Sequence, residues 1–424
     1  MTTHSVSFPY DGDTSMSVGL EQDCLGTVVS PQDVPAPSNE DAVIAAALDS
    51  PLGAPRLEES VTPNDRVLIL SDDNTRPTPT DRILPHVLRR LAQAGVPDTN
   101  IQIMIASGTH RPMTAPEIAR KLGGAVVQRF DVTCHDCYDT ASLVQYGISA
   151  DGVEVWLNRA VAQADFVIGI GNVVPHPHAG WAGGAKILYP GVAGAATVAA
   201  FHRVGAADPV NYMGRDDAPA RRALESLADT AGLHFVINTV LTRDHRLYRV
   251  HAGHHRLAQQ AAQREARDVY GIPVRGTYDI VVASSYPAYL EFWQAAKGFF
   301  AAEPITAPGG TIILVTPCPE GIGVTHPLQV QYLSMPLADL VRHISSGEVE
   351  DPIGAAVCAK VAHIKSRIRG IIVSPGLSQA DVRAMGFDYY VGLPAALDAA
   401  LAQHGRRPRV AVVTHGGESF TYSV

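Results

Sequence analysis

Apolar positions in this chain gather in short unbroken runs. RVLIL, IQIMIAS and DFVIGIGN in the first half, and YDIVVASS, GTIILVTP, RGIIVSPG and RVAVVTHGG in the second, read as strands buried on both faces rather than as alternating, half-exposed ones. Between such runs lie TDRILPHVLRRLAQAG, PLADLVRHISSG, SQADVRAMG and GLPAALDAALAQHG, whose apolar residues recur at helical intervals. Strand, helix and strand in this rhythm imply α/β architecture with mostly parallel sheets flanked by helices. The opening differs. VSFPYDG and TSMSVGL alternate around a Gly/Asp/Thr turn and predict a hairpin, followed by a helix over NEDAVIAAALDSPLG that ends at Pro51.

The rhythm breaks at AAQREARDVYGIPVRGTYD, where a polar, Arg-rich helix meets Gly and Pro, and then restarts. The break divides the chain into residues 1–272 and 273–424. Hydrophobic residues make up 46% of the 424 positions and charged ones 18%, enough apolar material for two folded α/β domains. Paired units of this kind carry their active site in the cleft between them, beside the C-terminal ends of the strands.

Residues with chemistry to offer follow directly after strands. RVLIL runs into SDDNTRPTPTD, IQIMIAS into GTHRPMT, and DFVIGIGN into VVPHPHAGWAGGAKILYPG. Three strand ends thus supply Asp73, Thr75 and Arg76, then His110 and Arg111, then His176, His178 and Lys186. Any one of these could be ordinary turn chemistry. Three strand ends together point to a site.

GWAGGAKILYPG resembles a phosphate-binding loop but has Ala185 where that loop needs Gly and Ile187 where it needs Ser or Thr. Gly183 and Gly184 still permit close approach of a ligand to backbone N–H groups at the start of a helix, so the segment reads as a cofactor loop and not as a nucleoside triphosphatase. Among 17 histidines there is no H-E-x-x-H. Cys134 and Cys137 have C-x-x-C spacing without a second pair, which argues against structural zinc. His254 and His255 read as the solvated face of a polar helix. His202 ends the apolar stretch GVAGAATVAAF and alone reads as a core histidine.

Charge narrows the partners. Lys and Arg number 33 against 42 Asp and Glu, a formal net charge of −9, which disfavours nucleic acid and anionic membrane surfaces. Five scattered cysteines fit a reducing compartment. No apolar run approaches the roughly 20 residues of a membrane helix, and the first residues lack the pattern of a signal peptide. A cytoplasmic protein is expected; nothing in the pattern sets a subunit number.

Taken in order, D-N-T-R-P (Asp73–Pro77), G-T-H-R (Gly108–Arg111), H-P-H-A-G-W-A-G-G-A-K ending at Lys186 with Pro190-Gly191 after it, His202, and Q-A-A-K (Gln294–Lys297) resemble the lactate racemase family over about residues 60–300. The resemblance implies a two-domain isomerase that inverts the hydroxyl-bearing carbon of a 2-hydroxy acid by hydride transfer to a nickel-pincer nucleotide. It implies His202 as the nickel ligand, Lys186 as the lysine that can join the cofactor covalently, and Thr75, Gly183 and Gly184 as further cofactor contacts. His110 and His176 become general bases, and Asp73, Arg76, Gln294 and Lys297 line the substrate or organise the site. Cofactor-synthesis enzymes are implied partners. A carboxylate substrate calls for cations, which Arg76 and Lys297 offer from opposite domains.

The sequence departs from the lactate-type pattern at His178, where an aromatic is expected, and at Trp181, where Phe is expected. In Ser71-Asp72-Asp73-Asn74, Asp73 is taken as the site aspartate because it stands three residues before Arg76. Alternative readings are an epimerase of a larger polyhydroxylated acid with His178 as a polar contact, a non-catalytic cofactor-binding homologue, and a metal-dependent hydrolase.

Overall fold

The apolar runs become strands of two separate sheets. In a computed structural model, which describes residues 3–149, 152–206, 208–405 and 407–424, the first sheet has the order Leu247–Gly253, Phe235–Leu241, Phe166–Asn172, Val67–Ser71, Ile101–Ile105, Asp131–Cys134. Its neighbours are parallel except for the antiparallel pair Phe235–Leu241 and Leu247–Gly253. The second sheet is parallel throughout, in the order Asp388–Tyr390, Arg369–Val373, Thr306–Val315, Tyr278–Ser284, Val410–Val413, Leu25–Val29. This is the α/β architecture the pattern predicts. All residues of Val67–Ser71 and Phe166–Asn172 are buried, which is why these strands carry no polar alternation.

Helix Thr80–Gln93 illustrates how the layers lock. It buries Ile83, Leu84, Val87, Leu88 and Leu91 against Ile69, Ile103 and Ile105 of the sheet, within one core cluster. Truncating one such leucine to alanine costs about 2–5 kcal/mol. Pro85 lies inside this helix but on its exposed side, where the carbonyl it leaves unpaired can bind water.

The opening segment requires a correction. Chain order assigns it to residues 1–272, yet Leu25–Val29 pairs in parallel with Val410–Val413, on the edge of the second sheet. The hairpin of Thr3–Pro9 and Ser15–Glu21 follows it, since Phe8, Val18 and Leu20 share a core cluster with Ile280, Val282 and Ile313. An apolar pattern specifies that a strand forms, but a pairing across nearly the whole chain leaves no local trace. At the expected boundary, Gly271–Val274 pairs with Phe420–Ser423, tying the crossing point to the end of the chain.

One feature of the first sheet positions the site. Val67–Ser71 has Ile101–Ile105 on one side and the later strand Phe166–Asn172 on the other, so strand order reverses there and a crevice opens beyond the carboxyl ends. Asp72 staples this point. Its Oδ2 accepts from the Asn172 N–H at 3.2 Å and from Thr78 Oγ1 at 2.5 Å, while Oδ1 pairs with Lys121 Nζ at 2.7 Å.

Candidate active site

Loops after the three central strands converge with two short helices of the second domain around a cavity of about 1180 Å3, its mouth included. Asp73, Thr75, Arg76, His110, His176, Gly183, Gly184, Lys186, His202, Gln294 and Lys297 all line it. With Asp72 committed to Lys121, Thr78 and Asn172, Asp73 is the aspartate that turns to His110.

A chain of hydrogen bonds crosses the cleft. His110 Nδ1 lies 2.6 Å from Asp73 Oδ2, while Asp73 Oδ1 accepts from the Thr75 N–H at 3.0 Å and its hydroxyl at 2.6 Å. Burial acts to raise the Asp73 carboxyl, but His110, Thr75 and Arg76 outweigh it and hold the group well below the usual carboxylate range. A carboxylate fixed in this way keeps the proton of His110 on Nδ1 and leaves Nε2 as an acceptor. Gln294 Nε2 donates to that Nε2 at 2.9 Å, and Lys297 Nζ donates to Gln294 Oε1 at 2.6 Å. Both second-domain residues sit on the short helices Phe292–Ala295 and Lys297–Ala302.

The other wall gathers buried basic groups. His176 Nδ1 accepts from the backbone N–H groups of His178 and Ala179, each at 3.2 Å, so its own proton sits on Nε2, 3.4 Å from Lys186 Nζ. Burial, then Lys186, His178, Lys297 and Arg76, push the His176 imidazolium well below its ordinary range. Burial, with help from Arg76 and Arg221, lowers Lys186 to about 7. Lys297 is lowered well below the lysine range by burial and by Arg76 and Lys186, against the pull of Asp73 and Glu291. These depressions share one cause: buried positive groups without enough counter-charge. A cleft of this kind favours an anion.

His202, on helix Ala195–Ala206, has Nδ1 2.9 Å from the Val198 carbonyl. That bond fixes the tautomer and leaves Nε2 with a free lone pair, as in metal-binding histidines. Burial pushes its imidazolium down to about 4, despite the Val198 carbonyl.

The glycine loop differs from expectation. Gly184–Ile187 is a short 3₁₀ turn, and the Gly184 N–H donates to Asn238 Oδ1 at 3.0 Å, so it is not free for an anion. What the glycines supply is a tight reversal. Gly183 and Gly184 have φ of +76° and +58°, and a Cβ on Gly184 would lie 2.7 Å from Gln259 Oε1. Gln259 in turn donates to the Ala182 carbonyl at 2.9 Å. The reversal is what presents Lys186 to the cleft.

Sequence reasoning missed several lining residues. Both amide atoms of Asn172 and the Ser107 hydroxyl are buried without partners and border the cavity; a polar residue closing an apolar strand at the switch point was the available signal for Asn172. Trp293 lines the cleft and stacks on His326 at 4.0 Å between centroids. His326 bonds Asp351 at 2.9 Å and reaches Thr109 Oγ1 at 3.3 Å, docking the second domain on the His110 loop. The expected solvated face at His254–His255 is also corrected, since His255 is 2% exposed and 2.8 Å from Asp229. Asp229, His254 and His255 form a metal-capable trio among the described residues, but Arg256 neutralises Asp229 and none of the trio lines the cleft. All five cysteines are free thiols. No helix among the described residues is long and apolar enough to cross a membrane.

Comparison with known proteins agrees with this geometry. Residues 11–214 match the model for the lactate racemase N-terminal domain and residues 275–419 that for the lactate racemase C-terminal domain. A lactate racemase of Lactiplantibacillus plantarum is 31% identical over 327 residues, 75% of this chain and 76% of that protein. One from Thermoanaerobacterium thermosaccharolyticum is 28% identical over 289 residues, 67% of each. The solved lactate racemase apoprotein from Thermoanaerobacterium thermosaccharolyticum superposes with a TM-score of 0.89 at 24% identity, covering 99% of this chain and 100% of the other.

Proposed function

Because this chain belongs to the lactate racemase family and is thereby an isomerase of the racemase class, we propose that it inverts the hydroxyl-bearing carbon of a 2-hydroxy carboxylate by reversible hydride transfer to a nickel-pincer nucleotide. The observation that carries the reading is the chain Asp73–His110–Gln294–Lys297, which joins a base to a lysine across two domains beside Arg76, Lys186 and His202.

The residues present suit that cofactor. His202 Nε2 is free to bind a metal and would hold nickel(II), for which imidazole is a suitable ligand. Lys186, lowered to about 7, offers an amine that is about half unprotonated near neutrality. The unpartnered amide of Asn172 and hydroxyl of Ser107 offer hydrogen bonds to a polar group larger than a three-carbon acid. When bound, the nucleotide supplies a reversible hydride acceptor.

The chain's own residues do the rest. Arg76 and Lys297 hold the substrate carboxylate from opposite domains, and its negative charge relieves the depression of His176 and the two lysines. The substrate hydroxyl takes the place of the Gln294 amide on His110 Nε2. That nitrogen accepts the hydroxyl proton as hydride leaves carbon, and Asp73 stabilises the imidazolium that forms. His176, on the opposite wall, is the counterpart for the other enantiomer, and it works as a base there only once Nε2 has released the proton that the His178 and Ala179 N–H groups on Nδ1 assign to it. Two histidines are needed because the hydroxyl points to opposite walls in the two antipodes.

Co-expression with cofactor-synthesis enzymes and turnover of enantiopure acids in heavy water tests the route. The product should carry no solvent deuterium at the inverted carbon, and a 2-deuterated substrate should keep its label. Stoichiometric wash-in of deuterium would return the two histidines to acid–base chemistry at carbon and remove hydride transfer.

A further inference from the structure

One polar atom in the cleft has no task in the reaction above. His178 Nε2 is buried without a hydrogen-bond partner, and its residue lines the cavity. The ring lies 6.0 Å from that of His176 and 5.6 Å from that of His202, between the proposed base and the proposed metal ligand. Its backbone is fixed, because the His178 N–H donates to His176 Nδ1. The second domain completes the same cavity with the apolar side chains of Ala296, Phe300, Ile353 and Val357. A lone imidazole nitrogen left unpaired in such surroundings is destabilising.

An imidazole can carry its ring proton on Nε2 and so present an N–H to the cavity. An unpartnered N–H calls for an electron-rich atom opposite it. A methyl group there would leave Nε2 unsatisfied, whereas an oxygen would complete it.

We propose that His178 is a specificity-determining residue whose Nε2 donates to a second oxygen substituent, on the third or fourth carbon of the 2-hydroxy acid. This rests on the racemase reading and narrows it: the substrate class is an oxygenated 2-hydroxy acid and not one with a plain alkyl side chain.

Matched pairs that differ by one oxygen test the assignment, with glycerate against lactate as the first pair. In the cofactor-loaded enzyme, kcat/KM for glycerate over lactate should be at least about tenfold, as for sites built to bond a substrate hydroxyl. His178→Phe should lower that ratio about tenfold or more, and His178→Asn, which restores a donor, should recover part of it. Calorimetric binding of the two acids to the same proteins gives a readout independent of turnover and should follow the same order. Equal ratios in wild type and His178→Phe overturn the assignment and leave the racemase reading standing. Loss of bound nickel from His178→Phe with an unchanged ratio also overturns it, by giving the residue to the cofactor. Selective binding that depends on His178, without racemisation of any acid, supports the assignment and sinks the racemase reading instead.

Discussion

At the level of single residues, the site depends on where protons sit. Asp73 holds the His110 proton on Nδ1, and an amide in its place can donate to that nitrogen and favour the wrong tautomer. Asp73→Asn should therefore lower kcat on the order of a thousandfold or more while leaving bound nickel unchanged, measured by turnover and metal analysis on one sample. Lys186 gives a second expectation. Its amine is lowered from the ordinary 10.5 to about 7, so its unprotonated, nucleophilic fraction rises as pH increases through 7. Labelling of Lys186 in cofactor-free protein by trinitrobenzenesulfonate, followed by peptide mass analysis, should be half-maximal near pH 7; a midpoint near 10 would mean that the side chain is solvated. Much of this was legible beforehand, because Asp73, Arg76, His110, His176 and Lys186 all stand on loops that follow apolar runs. What was not legible is partnership. Asp72 and Asp73 are adjacent and chemically identical, and it is the contacts of Asp72 with Lys121, Thr78 and Asn172 that separate their tasks.

At the level of elements, the turn carrying Lys186 is the sensitive piece. Gly184 sits at φ +58° with Gln259 Oε1 2.7 Å from where a Cβ would go, and Gln259 is itself bonded to Asn238 and Ala182. Gly184→Ala should destabilise the fold by about 1–3 kcal/mol, through left-handed strain and the crowded amide. The accompanying shift of the turn should move the Lys186 labelling midpoint. Thermal unfolding and the labelling curve check both parts, and an unchanged midpoint would detach the glycines from the placement of Lys186. The sequence marked the glycines but suggested a helix N-terminus open to an anion. A 3₁₀ turn replaces it because Asn238, on a strand distant in sequence, takes the Gly184 N–H. His255 is a similar case: its helix looks polar throughout, yet Asp229 on another helix lets the imidazole be buried.

Across the whole molecule, the two domains share an apolar core in which Val173 and Trp181 of the first cluster with Phe292 and Phe299 of the second, and polar contacts are placed around the cleft. Arg111 forks between Glu117 of its own domain and Glu320 of the other, with NH2 to Glu320 Oε1 at 2.7 Å and Nε to Oε2 at 3.1 Å. Arg76 and Lys297 likewise face each other across the gap, so closing the domains and binding a carboxylate reinforce one another. Glu320→Ala should raise KM several-fold with a smaller change in kcat, since a part-buried bidentate pair contributes about 1–2 kcal/mol. Small-angle scattering of the unliganded variant should report a larger radius of gyration than wild type; equal KM and radius would exclude this contact from closure. The alternation of strands and helices made both sheets readable, but not the destination of the first strand, since nothing near residue 28 records that its neighbour is residue 412. That pairing sets an order on synthesis. The first sheet has all its strands once the ribosome has passed residue 253, whereas the edge strand Leu25–Val29 must wait for Val410–Val413. That strand thus stays without its partner until residue 413 has been made, and a chain stalled or terminated between residues 253 and 410 releases a finished first sheet with the early strand uncovered and open to aggregation.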